Sequence, residues 1–315
     1  IRITSAVSTA TSVPVPMARP TSESASAGAP VVPLLPVLDE LLGGLPAARD
    51  AISAELLERR EEDGYLREKL AIAGRDGAEI PAYLLTPTGG PPPGGFRAVL
   101  CLHGHGNGIG DLVGDPGQGS PERRAAAAAH ISAHNYDYAR QCARMGFVAL
   151  APEARGFGER SENLENPESE CAIPGLVSLF LGIPIAGQRL RDDLSAVDYL
   201  CTLHGVDAAR IGCVGLSEGG RRTLYLSAMD DRIKVAVISG YYSTLTGAIR
   251  EWQRLGNWDI CNYVPGLLRY ADYPDLAALL APRPLLVEYA TDDDLYDQDA
   301  VHEALEITAR SYAAQ

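Results

Sequence analysis

Residues Ile211 to Gly219 constrain this chain more than any other stretch. The run Ile211-Gly212-Cys213-Val214-Gly215-Leu216 is apolar throughout, ends at Ser217, and leads into helix-forming sequence. It lacks polar alternation, as strands buried on both faces of a parallel sheet do. Gly215-Leu216-Ser217-Glu218-Gly219 is then a G-x-S-x-G turn from strand to helix. A side chain two residues to either side of the serine would strike the neighbouring strand or helix, so both glycines are needed. Ser217 is the candidate nucleophile of the chain. Such a serine needs a base to take its proton, a carboxylate to orient that base, and donors for the oxyanion formed on acyl transfer.

The rest of the chain predicts a sheet around this strand. Val37 to Arg60 has helical spacing, broken into two pieces by Gly43, Gly44 and Pro46. Tyr65–Ala73 and Glu79–Leu85 read as antiparallel strands joined by Arg75-Asp76-Gly77. Buried strands follow at Arg97–Leu102, Phe147–Ala151, Ile211–Leu216, Val235–Ser239 and Pro284–Tyr289. Helical sequence lies between Pro121 and Met145, at Ala186–Leu203, after Ser217, and from about Gln298. Asp207–Arg210 reads as a short turn. Strands alternating with helices imply an α/β fold, a mostly parallel central sheet with helices on both faces. The expected domain spans residues 31–315, preceded by a disordered segment, residues 1–30, rich in Ser, Thr, Ala and Pro and without the layout of a signal peptide. Met17 is a candidate true start.

Composition narrows the function classes. A net charge of −14 disfavours nucleic acid or an anionic membrane as partner. No run of about 18 apolar residues predicts a transmembrane helix. The six cysteines form no C-x-x-C pair, so a zinc knuckle or thioredoxin-type site is not expected. Cys101 and Cys213 lie in predicted strands as small buried hydrophobes. The pattern suits a reducing compartment, and a cytoplasmic location is expected.

Two further loops make the reading specific. Leu102-His103-Gly104-His105-Gly106 follows one strand, and Ala151-Pro152-Glu153-Ala154-Arg155-Gly156-Phe157-Gly158 follows the next. Together with the elbow, and with Asn262–Leu268 and Ala281–Leu286, they resemble the α/β-hydrolase superfamily, in its dienelactone-hydrolase-like and acetyl-xylan-esterase-like branch. Glu153 stands where Asp is more usual in that branch. The resemblance runs from about Leu66 to the end of the chain. It implies an α/β-hydrolase fold and an oxyanion hole made by the backbone N–H groups of Glu218 and His105. The positive end of the helix dipole favours negative charge at Glu218. The side chains of His103 and His105 read as loop-fixing.

The resemblance also implies an acid in the loop Ala290-Thr291-Asp292-Asp293-Asp294-Leu295-Tyr296, at Asp293, with Asp292 and Asp294 as rivals one residue away. Triad order in this fold is Ser, acid, His. After Asp293 the sequence has one histidine, His302, in a stretch of helical period. It reads as a helix-surface residue, so the base is expected beyond residue 315, after a last strand that the sequence does not reach. His130 and His134 are four apart but lack an H-E-x-x-H context, and read as surface or capping residues. His204 stands at a helix end, where a cation suits the dipole.

The expected function is hydrolysis of a small-molecule carboxylic ester through an acyl-enzyme, with no cofactor and no metal. The alternatives are a prolyl-oligopeptidase-like peptidase and an inactive fragment or pseudoenzyme. Candidate pocket-lining aromatics are Tyr241, Tyr242, Trp252 and Trp258.

Overall fold

The computed structural model describes residues 33–47, 52–117, 119–162, 171–256 and 259–315. The expectation for residues 1–30 and the side chain of Trp258 therefore lie outside the described residues.

Eight strands form one sheet: β1 Ala54–Glu62, β2 Tyr65–Ala73, β3 Glu79–Pro87, β4 Phe96–Leu102, β5 Val148–Pro152, β6 Val206–Leu216, β7 Ile233–Ser239 and β8 Leu285–Glu288. The helices are α1 Leu34–Leu41, α2 Ile109–Leu112, α3 Pro121–Ala133, α4 Tyr138–Arg144, α5 Ala172–Phe180, α6 Ile185–Thr202, α7 Glu218–Met229, α8 Leu245–Leu255, α9 Tyr273–Ala278 and α10 Gln298–Ala313. The strand order is β1-β2-β3-β5-β4-β6-β7-β8. The first three strands pair antiparallel, as do β3 and β5, and every pairing from β5 through β8 is parallel. This is the α/β-hydrolase fold.

The period of two within each apolar strand divides the core between the faces of the sheet. In β4, Phe96, Ala98, Leu100 and Leu102 join the larger cluster with Leu190, Leu194 and Leu224 of α6 and α7. Val99 and Cys101, between them, face a second cluster with Ile109, Leu112, Ala139 and Ala143 of α2 and α4. Both faces are thus covered, which is why these strands show no polar alternation.

Helix α6 is buried along most of its length although its sequence is rich in charge. Its aspartates are matched by arginines from other elements: Asp192 by Arg155 at 2.8 Å, Asp193 by Arg222 at 2.5 Å, Asp198 by Arg75 at 2.7 Å. A buried carboxylate persists only when paired in this way. Arg283, ahead of β8, donates to five backbone carbonyls: Ser227 at 2.7 Å, Ile233 at 2.8 Å, Asp230 at 3.0 Å, Leu280 at 3.2 Å and Leu279 at 3.3 Å. It ties the end of α7 and the start of β7 to the segment that opens β8.

Three sequence expectations are corrected. The second helical piece before Arg60 is strand β1, whose Leu56 and Leu57 are exposed rather than on a buried helix face. Pairing with β2 along nearly its whole length overrides the local period. Asp207–Arg210 is part of β6 rather than a turn; the pairing with β4 slips between Phe96 and Ala98, and this irregularity absorbs the extra residues. The predicted helical region from Pro121 to Met145 is two helices, α3 and α4. They are separated near Asn135, which takes a left-handed φ of 54°.

Candidate active site

The loops after β4, β6, β7 and β8 meet at the carboxyl ends of the parallel strands, where ligands bind in open α/β sheets. A cavity of about 470 Å³ opens there. Ser217, Gly104, His105, Tyr138, Tyr289 and Asp293 are among its lining residues.

Ser217 sits between β6 and α7 with φ 54° and ψ −120°. A left-handed φ is rare for a residue with a side chain and costs on the order of 1–3 kcal/mol. Its N–H donates to Ser239 O at 2.8 Å, which ties the turn to the end of β7. Packing around the elbow explains its glycines. A Cβ on Gly219 would land on the Leu102 carbonyl oxygen, and one on Gly104 would sit 3.2 Å from Ser217 Cβ and 2.8 Å from Leu216 O. The loop after β4 can therefore lie against the nucleophile only because position 104 has no side chain. Gly219→Ala is expected to destabilise the protein by more than about 3 kcal/mol, because backbone rather than a flexible side chain must move. Chemical denaturation checks this; a loss under 1 kcal/mol would mean that the elbow is looser than described.

Glu218 contributes its N–H to the first turn of α7, while its side chain points into the protein. The carboxylate is wholly buried between two arginines, accepting from Arg189 Nη1 at 2.6 Å, Arg221 Nη2 at 2.5 Å and Arg221 Nε at 2.8 Å. Burial alone would push its pKa up; the Arg221 and Arg189 charges outweigh burial and hold it far below the usual carboxylate range. Arg189 also donates to Arg155 O at 2.7 Å and lies over the Phe157 ring. The base of the elbow thus rests on an ionic lattice running from α7 through α6 to the loop after β5.

His103 is buried and fully engaged. Its Nε2 accepts from Ala154 N–H at 3.0 Å, and its Nδ1 lies 2.8 Å from Gly104 O, so the ring braces the loop after β4 against the loop after β5. Glu153, also buried, accepts from Ile109 N–H at 3.2 Å. His105 turns its ring toward Asp259, with Nε2 at 2.8 Å from Oδ2, and stacks edgewise on Phe157. Asp259 is pushed up by burial, but the His105 hydrogen bond prevails and keeps it below the usual carboxylate range. Tyr138 closes the floor of the cavity with a bond to Leu102 O at 2.6 Å.

Asp293 follows β8 and is the one of the three adjacent aspartates that lines the cavity; Asp292 and Asp294 are exposed. Its Oδ1 accepts from Leu295 N–H at 2.9 Å, which fixes the turn. The strand that leads to Asp293 does not lie beside the Ser217 strand. β7 intervenes, and the loop after β8 curls back across the end of β7 to reach the cavity.

A model of the Abhydrolase family matches residues 38–313. The chain belongs to this family. The Bacillus subtilis protein described as "Putative hydrolase YtaP" is 30% identical over 281 residues, covering 88% of this chain and 86% of its own. Two solved structures share the fold. A "putative acetyl xylan esterase" from Bacteroides fragilis superposes with a TM-score of 0.67 at 20% identity, over 88% of this chain and 71% of that one. The glucuronoyl esterase from Solibacter usitatus gives 0.61 at 18% identity, over 89% and 79%.

The remaining sequence candidates of this Abhydrolase chain fall away from the cavity. Tyr241 is buried, its hydroxyl bonded to Asn262 at 2.8 Å and Tyr273 at 2.9 Å, and Tyr242 bonds Thr308 inside the core. Trp252 lines a separate apolar pocket. These are packing residues; the aromatics of the Ser217 cavity are Tyr136, Tyr138 and Tyr289. His302 lies exposed on α10, its Nε2 3.3 Å from the Tyr289 hydroxyl. His130 and His134 stack on each other at the surface end of α3, and His204 is exposed after α6. Cys171 and Cys261, 90 residues apart, form a disulfide. Sequence gives no sign of that pairing, since the partners come from two different inserts.

Proposed function

We propose that this protein is a carboxylic ester hydrolase that works through an acyl-enzyme on Ser217. The observation that carries the reading is the convergence in one cavity of a serine at left-handed φ, the glycine-opened loop after β4, and the Asp293 carboxylate. The names of the acetyl xylan and glucuronoyl esterases that share the fold point to the same chemistry.

In this reading Ser217 Oγ attacks the ester carbonyl carbon while a base takes its proton. The negative charge that forms on the carbonyl oxygen is met by the N–H groups of Glu218 and His105, the first of them at the positive end of α7. Collapse expels the alcohol, which receives the proton. Water then attacks the acyl-serine by the same route in reverse. Asp293 orients the base. Asp111, Glu288 and Asp293 give the cavity an acidic lining, which favours a neutral ester over a carboxylated one. Fold order assigns the base to a histidine after Asp293. His302 faces Tyr289 on the surface of α10 and is not given this role.

Two measurements test this. Asp293→Asn is expected to cost on the order of 10⁴ in kcat, as loss of the orienting carboxylate does elsewhere, whereas Asp292→Asn and Asp294→Asn should stay near the parent. Equal losses at all three positions would count against Asp293. Hydrolysis of p-nitrophenyl acetate is expected to be unchanged in His302→Ala. Full turnover that disappears in His302→Ala would make His302 the base and overturn that assignment.

A further inference from the structure

Four ligand-type side chains converge beside the loop after β4; one of them, His105, also offers its main-chain N–H to the proposed oxyanion hole. Cys171 precedes α5, Asp259 and Cys261 lie at the short turn Ile260–Asn262, and His105 comes from the loop itself. One sulfur, nitrogen or oxygen from each lies within 4.8 Å of every other. His105 Nε2 is 3.5 Å from Cys171 Sγ and 2.8 Å from Asp259 Oδ2. Both sulfurs are buried.

The surroundings are built for more charge than a disulfide carries. Arg189, with no exposed surface, aims Nη1 at Cys261 Sγ at 3.0 Å and Nη2 at Cys171 Sγ at 3.2 Å. The sulfurs of a disulfide are neutral, weak acceptors, and a buried guanidinium gains little from them. Nη1 already meets the Glu218 carboxylate at 2.6 Å; two thiolates would give Nη2 a charged partner as well. Two thiolates, one imidazole and one carboxylate are also the number and kind of ligands that a tetrahedral zinc ion takes.

We propose that reduction of Cys171–Cys261 opens a site for one zinc-type divalent cation, held by Cys171 Sγ, Cys261 Sγ, His105 Nε2 and the Asp259 carboxylate. A phosphine reductant with water supplies the two electrons and two protons that split the S–S bond, and leaves as its oxide. The cation then displaces both thiol protons. The filled site carries a net charge of −1, and Arg189 balances it. Oxidised, the same pair is a covalent tie between the two inserts; reduced and loaded, it is a metal tie between the same inserts that also holds the His105 ring. The site therefore couples redox state to metal content beside the catalytic loop. This inference does not depend on the ester chemistry.

The test is a titration of the phosphine-reduced protein with Co²⁺ under nitrogen, read by thiolate-to-cobalt charge-transfer absorption and the visible bands of tetrahedral cobalt. Saturation at one equivalent, displacement of Co²⁺ by Zn²⁺, and no such bands in the unreduced protein are expected. Cys171→Ser/Cys261→Ser should abolish the bands while Cys101, Cys142, Cys201 and Cys213 remain. Asp259→Asn keeps both thiols and should weaken binding by more than the about 10–100-fold that changes behind the ligands produce. Unchanged bands in the double serine variant, equal binding before reduction, or a reduced protein that shows no bands or unfolds before binding would each overturn the proposal.

Discussion

Ser217→Ala is expected to lower ester hydrolysis by on the order of 10⁶ in kcat, measured in a form of the protein that turns esters over. Removal of the nucleophile leaves only substrate binding and oxyanion stabilisation. A fluorophosphonate should label the parent once, at Ser217, and leave the variant unlabelled. A companion variant separates chemistry from conformation. Ser217 holds φ at 54°, a region that glycine enters freely. Ser217→Gly should be as inactive as the alanine variant yet more stable than the parent by about 1 kcal/mol, because the strain at the turn is released. Thermal unfolding of the three proteins decides this. Retention of more than about a tenth of the activity in Ser217→Ala would remove the serine from the mechanism.

The second large effect is on stability. Glu218→Gln keeps the shape of the side chain and the backbone N–H but removes the negative charge between Arg189 and Arg221, which lie 2.6 Å and 2.5 Å from its Oε1. Breaking a buried pair by neutralising one partner typically costs about 3–5 kcal/mol, and here two guanidinium groups lose their counter-charge. The pH dependence follows from the direction of the shift. The folded carboxyl titrates far below its unfolded value, so its contribution is fully present above about pH 4.3. It is lost as pH falls toward the folded value, because the unfolded chain then binds the proton first. Parent stability should therefore fall as pH drops below about 4.3, and the Glu218→Gln profile should be flatter over that window. Denaturant melts from pH 3 to 7 measure it. A variant within 1 kcal/mol of the parent at neutral pH would show that the arginines find other partners.

Much of the sheet could be read from the sequence because its strands are short, apolar and bounded by turn residues. β4, β5 and β7 differ from expectation by a residue or two at their ends. The elbow was legible because two glycines at fixed spacing have one packing reason. β1 was not, because Leu56 and Leu57 keep a helical spacing and only the partner strand makes them a strand. The acidic loop named three aspartates, and distinguishing Asp293 needs the path of the chain over the end of β7. The Arg189–Glu218–Arg221 lattice and the Cys171–Cys261 pair were invisible for a common reason. Each joins residues from separate elements, and charge or sulfur content alone does not say which of many arginines or cysteines will meet.

The arginine ahead of β8 bears on how any pH profile of this protein should be interpreted. Arg283 fastens the nucleophile's helix and the strand leading to the acid by donating to main-chain oxygens, those of Ser227, Asp230, Ile233, Leu279 and Leu280. Each of these bonds ends on an amide carbonyl, a group with no ionisable proton. The spacing between serine and acid is thus set by a joint that pH does not act on. A change in activity between pH 5 and 9 is then to be sought in groups that titrate there rather than in this joint.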